Sequence, residues 1–133
     1  MTVHRIAIAA AAVMSLLVLP ACSTMKVVGR VVSGEISHVG VVDGSDSRLK
    51  AKGLDGIEVT ISQAAGGGSS AMLGRAVSTG GGHFSIKVDP SAWPTDRVQI
   101  RATGENYATA RGLVFLPREG QQLLILMERT AGD

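Results

Sequence analysis

Residues 77–89, VSTGGGHFSIKVD, decide the fold. Three glycines divide the stretch, and after them three apolar residues alternate with three polar ones, Phe84, Ile86 and Val88 with Ser85, Lys87 and Asp89. Side chains of a β-strand point alternately to the two faces of its sheet, so one face here is apolar and the other is polar and faces solvent. The pattern predicts two short strands joined by a three-glycine turn, which is a β-hairpin.

The same alternation continues on both sides of this stretch, in residues 57–62 and 98–103. Further strands are predicted over residues 26–36, 56–63, 72–79, 96–103, 107–116 and 121–128, with a short edge strand over 39–42. Residues 123–127 are continuously apolar, which predicts a strand buried on both faces. We therefore expect an all-β fold, a single antiparallel β-sandwich of about seven strands over residues 26–129. Its core should contain Ile57, Val59, Ile61, Phe84, Ile86, Val88, Val98 and Ile100.

Composition and net charge indicate which kinds of partner the protein is not built to bind. The chain has 133 residues and a formal net charge of +2. Removal of residues 1–21 takes away only Arg5, so 12 basic residues face 11 acidic ones and no strongly basic surface is expected. The sequence thus indicates no nucleic-acid partner. The lone cysteine, Cys22, excludes a disulfide within the chain.

The N-terminal segment has the features of an export signal. A short positive start precedes an apolar run over residues 6–19, which is too short to span a bilayer. The sequence Leu19-Pro20-Ala21-Cys22 then resembles the lipobox of bacterial lipoproteins, with Pro20 as its departure from the usual pattern. The resemblance implies a signal peptide at 1–21, lipidation of Cys22, and a short tether over 22–25. Residues 130–133 are interpreted as a tail.

Localisation follows from that cysteine. The lipobox resemblance implies an outer-membrane protein on the periplasmic side, because Ser23 stands where the inner-membrane retention signal has aspartate. The membrane would then be one partner, through the anchor at Cys22. An ordinary signal peptidase that cuts after Ser23 is the alternative, and it would release a soluble secreted or periplasmic protein.

Three motifs of the sandwich resemble those of carboxypeptidase regulatory-like domains, which are transthyretin-like, or prealbumin-like, β-sandwiches. They are residues 52–59, residues 78–84 and residues 100–107. In the second motif Gly82 and Phe84 match, whereas Thr79 replaces the aspartate that braces the turn in the family. The resemblance implies a non-catalytic module and names no ligand.

No motif in the chain groups catalytic or metal-binding residues. His38 and His83 are the histidines beyond the signal segment, and neither has the spacing of a metal site or of a catalytic relay. His83 is opposite in phase to Phe84, so we expect it to face solvent. The sequence indicates no cofactor, no metal and no catalytic residues.

Binding is the remaining class of function, and two sets of residues are candidates. A long exposed loop is predicted over residues 38–53, with a glycine-rich tip over 64–70. The first hypothesis is that these segments contact another envelope protein. The loop carries most of the candidate residues, which are Asp43, Asp46, Arg48, Lys50 and Lys52. A solvated loop without a partner is the alternative.

Carbohydrate or cell-wall binding is the second hypothesis. Sugar modules stack rings on exposed aromatics, and with Phe84 and Phe115 assigned to strands, Trp93 and Tyr107 are the candidates here. Side-by-side exposure of these two rings would favour sugar binding. An enzyme is the third hypothesis, and no motif supports it.

Overall fold

A computed structural model describes residues 25–64, 71–89 and 97–130 of the chain. Two four-stranded sheets form a sandwich-like all-β fold, with a short 3-10 helix at Ser47–Lys50. The first sheet has the order β2-β8-β1-β5 and the second the order β4-β3-β6-β7. The strands are β1 Met25–Gly34, β2 His38–Asp43, β3 Glu58–Gln63, β4 Met72–Val77, β5 His83–Val88, β6 Val98–Thr103, β7 Ala110–Val114 and β8 Gln121–Glu128.

Eight strands are described, one more than predicted. The additional one is β2, which forms an edge of the first sheet and includes the suggested edge strand over 39–42.

The first sheet is not purely antiparallel, which corrects one expectation. β1 runs parallel to β8, with Gly29 beside Leu123 and Gly34 beside Glu128, whereas all the other strand pairs of the two sheets are antiparallel. Alternation shows which face a side chain occupies but carries no information about the direction of the neighbouring strand. The continuous apolar run of β8 is the pattern of a strand covered on both faces, as strands of parallel pairs usually are.

The predicted hairpin at residues 77–89 is wrong in its pairing. The turn itself forms, because Thr79 N–H donates to His83 O at 2.8 Å and His83 N–H donates to Thr79 O at 2.9 Å. However, β4 pairs with β3 in the second sheet while β5 pairs with β1 in the first. The three glycines, all with positive φ, therefore carry the chain from one sheet to the other.

The predicted core is confirmed. All eight residues expected between the sheets are buried in one hydrophobic cluster. Phe84 lies directly opposite Gly29 of β1, and a Cβ at that glycine would meet the Phe84 Cζ atom at 2.5 Å. The missing side chain of Gly29 thus makes room for the phenyl ring.

The predicted long exposed loop over residues 38–53 is correct only in part, because most of residues 43–53 are exposed but the segment is not a free loop. Strand β2 occupies its first part, and the 3-10 helix places Leu49 on the outer face of the first sheet. Leu49 is 8% exposed and packs with Val32 and Leu124 in a second, smaller cluster. This cover explains why β8 is buried on both faces, as the sequence predicted.

The connection between the sheets is fixed by polar contacts. Asp55 Oδ1 accepts hydrogen bonds from the backbone N–H groups of Gly81 at 2.9 Å and Gly82 at 2.7 Å. Ser78, which is fully buried, accepts from Ile57 N–H at 3.0 Å and donates to Leu54 O at 2.7 Å. The turn has threonine at position 79, where the resembling family has aspartate, and a carboxylate from another segment, that of Asp55, accepts the backbone hydrogen bonds of the turn instead.

Candidate functional site

The predicted loop residues have mainly structural contacts. Asp46 caps the 3-10 helix, accepting from Arg48 N–H at 2.9 Å, and it forms an ion pair with the Arg48 guanidinium at 2.8 Å. The hydrogen bonds from the Arg48 side chain, and then from its backbone, lower the pKa of Asp46 to about 2. The same side-chain contact raises the pKa of Arg48. These two candidates therefore bind each other.

The other three loop candidates, Asp43, Lys50 and Lys52, are exposed but are not gathered into one site. Asp43 pairs with Gln121 at the start of β8, whereas Lys52 O accepts from Ser33 N–H, and Ser33 lies beside Met127 near the end of β8. At about 3.3 Å per residue, the two ends of the segment are roughly 20 Å apart. The five charges of the predicted binding loop are thus spread over a segment that runs from one end of β8 to the other.

The aromatic pair of the carbohydrate hypothesis is not brought together by the described residues. Tyr107 is half-buried and packs against the main core, where Tyr107 N–H donates to Gly104 O at 3.2 Å. Trp93 lies outside the described residues, as do Cys22 and residues 65–70 of the predicted tip.

Within the described ranges, no three histidine, cysteine, aspartate or glutamate side chains lie close enough to hold a metal ion. His83 is exposed, as its phase predicted, and His38 is exposed as well. The described residues contain no helix of the length and apolar character needed to cross a bilayer.

The most distinctive polar surface lies on the outer face of the second sheet. Strand register places one residue from each strand in a row across this face: Arg75 of β4, Thr60 of β3, Arg101 of β6 and Arg111 of β7. Arg101 and Arg111 are direct cross-strand partners. We call these three arginines the arginine row.

The row carries an electrostatic cost that nothing described on this face fully offsets. Like charges directly opposite each other on neighbouring strands are destabilising. One arginine of the row has a carboxylate partner: Glu58 Oε2 lies 3.8 Å from the Arg75 guanidinium, and the Glu58 side chain is 47% exposed. An exposed pair at this distance is weak. An anionic group bound between Arg101 and Arg111 would relieve their repulsion.

A cleft of about 510 Å³ is lined by two arginines of the row, Arg101 and Arg111. Its lining is mostly polar and includes hydroxyl and amide groups beside the two opposed guanidinium groups: Glu58, Thr60, Ser62, Met72, Gln99, Arg101, Thr103 and Arg111. Guanidinium groups bind carboxylates through two parallel hydrogen bonds, and the hydroxyl and amide groups can donate to the same anion. The arrangement can therefore bind a carboxylate or another anionic group.

Sequence reasoning missed this site. The phase of β6 predicted that Arg101 faces water, but phase does not give register, and register is what aligns Arg101 with Arg111 and Arg75. The available signal was that each of three strands carries an arginine at a solvent-facing position.

Comparisons of this chain with protein-family models, with curated proteins and with solved structures found no match.

Proposed function

We propose that this chain is a non-catalytic, lipid-anchored module of a bacterial cell envelope, and that its arginine row binds an acidic surface of another envelope protein. The proposed anchor is Cys22, on the outer membrane and facing the periplasm. The likeness to carboxypeptidase regulatory-like domains stays a prediction, and it agrees with a module that binds rather than catalyses.

The observation that carries the proposal is the direct opposition of Arg101 and Arg111 across two strands. Two arginines directly opposite each other on neighbouring strands are unfavourable in the free protein, and a carboxylate bound between them turns that cost into a favourable interaction. A site of this kind gains most from a partner whose acidic groups are spaced to match the row.

The margins of the row favour a protein over a free anion. Met72, Val77 and Leu113 are 58%, 53% and 52% exposed, and their register places them in the outward-facing rows on either side of the arginines. Arginine and methionine are enriched at protein interfaces, and exposed apolar residues around a charged centre exclude water from it. The outer face thus combines charged anchors with apolar contact area.

An acidic polysaccharide is the second candidate, because threonine, serine and glutamine line the cleft beside the arginines. None of the lining residues is aromatic, so the ring stacking of many sugar modules is missing from this face. Binding of a polysaccharide here would depend on charge and hydrogen bonds.

Site-specific crosslinking in membranes tests the proposal. A photo-reactive residue replaces Gln99, which lines the cleft, in the wild-type background and with Arg101→Glu and Arg111→Glu combined. We expect a protein adduct of defined mass, sensitive to protease, that the double charge reversal abolishes. Lys87→Glu is the matched control, because Lys87 is an exposed cation on the first sheet, and it should leave the adduct unchanged.

Two outcomes would contradict this proposal. An adduct that resists protease but is removed by polysaccharide-degrading enzymes would establish the carbohydrate alternative. An adduct that survives the double reversal but disappears when residues 43–52 are replaced by a Gly-Ser linker would return the binding surface to the predicted loop.

The anchor has a separate test. A Cys22→Ala variant should leave the membrane fraction and appear in the soluble periplasmic fraction, because several acyl chains hold a protein far more strongly than its surface charge can. If the variant remains in the membrane fraction together with the wild type, Cys22 is not the anchor.

A further inference from the structure

A second exposed surface lies at the end of the sandwich where β1 begins, and it shares Leu113 with the apolar margin of the arginine row. Two clefts, of about 670 Å³ and about 490 Å³, meet at this end and share Phe115, Leu116, Arg118 and Gln121. Of the aromatic residues that the structure describes, Phe115 is the exposed one, at 61%. It was expected inside a strand, but β7 ends at Val114 and leaves the ring in solvent.

Three more exposed apolar side chains line the same clefts. Met25 is 42% exposed, Val28 is 39% exposed and Leu113 is 52% exposed. Together with Phe115 they form what we call the apolar end. Large aromatic and aliphatic groups exposed together mark a surface that contacts a partner or a membrane.

The residues that line the two clefts carry more positive than negative charges. The charged residues that line the two clefts are Lys26, Arg97 and Arg118, against the single carboxylate of Glu119. Apolar side chains bordered by lysine and arginine are the features of proteins that sit at the surface of an anionic bilayer.

The length of chain before β1 decides which partner can reach this end. Three peptide units separate Cys22 from Met25, and an extended chain covers at most about 3.6 Å per residue, which gives roughly 11 Å. The headgroup layer on each side of a bilayer is itself about 5 to 8 Å thick. A protein anchored at Cys22 therefore holds Met25 at or just above the headgroups.

We propose that the apolar end docks on the anionic lipid surface, with Phe115, Leu113, Met25 and Val28 inserted among the headgroups. This proposal rests on the lipid anchor of the proposed function. Docking fixes the orientation of the anchored protein, with the start of β1 against the membrane and the Thr79–His83 turn pointing away from it. The arginine row then stands along the side of the sandwich, where a partner in the periplasm or on the membrane can reach it.

Depth-dependent fluorescence quenching tests the orientation. The full lipidated protein is reconstituted in phosphatidylethanolamine–phosphatidylglycerol vesicles whose acyl chains carry a shallow bromine quencher. A thiol-reactive fluorophore is placed at Glu119→Cys, in the apolar end, or at Thr79→Cys, in the exposed turn at the opposite end. Acylation of Cys22 leaves the introduced cysteine as the one reactive thiol of the mature chain.

We expect strong quenching of the label at position 119 and none at position 79. Combining Phe115→Ser with Leu113→Ser should abolish the quenching at 119 while the protein remains on the vesicles through its anchor. Replacing phosphatidylglycerol by phosphatidylcholine, or Arg118 by glutamine, should lower it several-fold. Both serine positions are exposed, so chemical denaturation should give unchanged midpoints.

The failure of docking and the failure of the anchor look different in this experiment. Docking is tested only when the mass of the mature chain shows acyl groups on Cys22. In that case, docking is overturned if the two labels are quenched equally, or if quenching at position 119 persists in the Phe115→Ser, Leu113→Ser variant. A chain that lacks acyl groups and leaves the vesicles overturns the anchor and, with it, this proposal. In a parallel sample the Glu119→Cys thiol is left unlabelled and an oxidant is added to the vesicles. A disulfide between two copies there, together with no quenching of the labelled protein, overturns docking and assigns the apolar end to a contact between copies.

Discussion

The two sheets present contrasting outer faces. On the first sheet the outer face carries a small hydrophobic cluster, because the segment after β2 lays Leu49 across Val32 and Leu124. On the second sheet no segment among residues 25–64, 71–89 and 97–130 covers the outer face, which carries arginine, threonine, serine and glutamine side chains. We call it the uncovered face. The same backbone architecture thus supports a covered face and an uncovered one, and the difference comes from one connecting segment.

The two outer faces should therefore differ in how much they contribute to the stability of the protein. The covered face adds apolar burial to the shared core, whereas the uncovered face contributes little burial and includes a like-charge pair at Arg101 and Arg111. Substitutions should therefore divide by location: large losses of stability in the core, intermediate ones on the covered face, and small gains on the uncovered face.

Substitutions in the core that the two sheets share should cause the largest losses of stability. Phe84→Ala should lower the free energy of unfolding by about 3–5 kcal/mol, because the ring is buried over Gly29 and its removal leaves a cavity. Lys87→Ala, three residues later on the same strand and exposed, should change it by less than about 0.5 kcal/mol. Chemical denaturation of the two variants measures both values. Equal midpoints would show that the pleat of β5 is assigned to the wrong face.

The covered face comes next. Leu49→Ala should cost about 2 kcal/mol, at the low end for a buried leucine, because the cluster is small and its cavity can fill with water. Leu113→Ala on the uncovered face is the matched control, since Leu113 is 52% exposed, and it should be nearly neutral. A neutral result for Leu49→Ala would show that the segment does not cover the first sheet in solution.

The uncovered face should respond in the opposite direction. Arg111→Thr removes the guanidinium opposite Arg101 and should raise the free energy of unfolding by up to about 0.5 kcal/mol at low salt. The gain should shrink at high salt, because ions screen exposed charges. Arg75→Thr is the control, since Arg75 faces Thr60 instead of another arginine and lies 3.8 Å from Glu58. A loss of stability in Arg111→Thr would mean that the opposed arginines are held by contacts that favour them.

The smallest effect concerns the pH dependence of the covering segment. The pKa of Asp46 falls from 3.8 to about 2 on account of its hydrogen bonds from Arg48. A carboxyl group whose pKa is lower in the folded than in the unfolded state stabilises the protein at every pH above the unfolded-state pKa. This contribution to stability is lost as the pH falls from about 4 to about 2. Asp46→Asn keeps a capping oxygen but loses the charge, so its deficit against the wild type should be largest at pH 5 and much smaller at pH 2.

Arg48→Met supplies the control for the pH experiment, because it removes the side chain that lowers the Asp46 pKa. In that background Asp46→Asn should show a weaker pH dependence of the denaturation midpoint. A deficit that is unchanged between pH 5 and pH 2 in the wild-type background would contradict the capping ion pair.

The sequence predicted which side chains are buried but not which strands meet. Phe84, Val59 and Ile100 were placed in the core from their alternation alone, because phase is a local property of a strand. Pairing is not local. The turn at Gly80–Gly82 has the residues of a hairpin turn, yet the strands on either side of it enter different sheets.

The same limit explains what was missed at the candidate site. A charged segment around Arg48 looked like a solvated binding loop because Leu49, a single apolar residue, gave no periodic signal that the segment packs on a sheet. The arginine row required the register of four strands, which no window of a few residues contains.

The parallel pairing of β1 with β8 has a consequence for the order in which the domain folds. β1 needs β5 and β8 as neighbours, and Gly29 and Leu123, which stand beside each other in the sheet, are almost a hundred positions apart in the chain. Contacts between such distant positions close late and slow the folding of β-proteins. The centre of the first sheet therefore stays incomplete until β8, the last strand of the chain, has been made, whereas the second sheet can pair before β8 is available. If Cys22 is acylated, β1 waits at the bilayer surface for its neighbour, and folding is completed from the membrane outward.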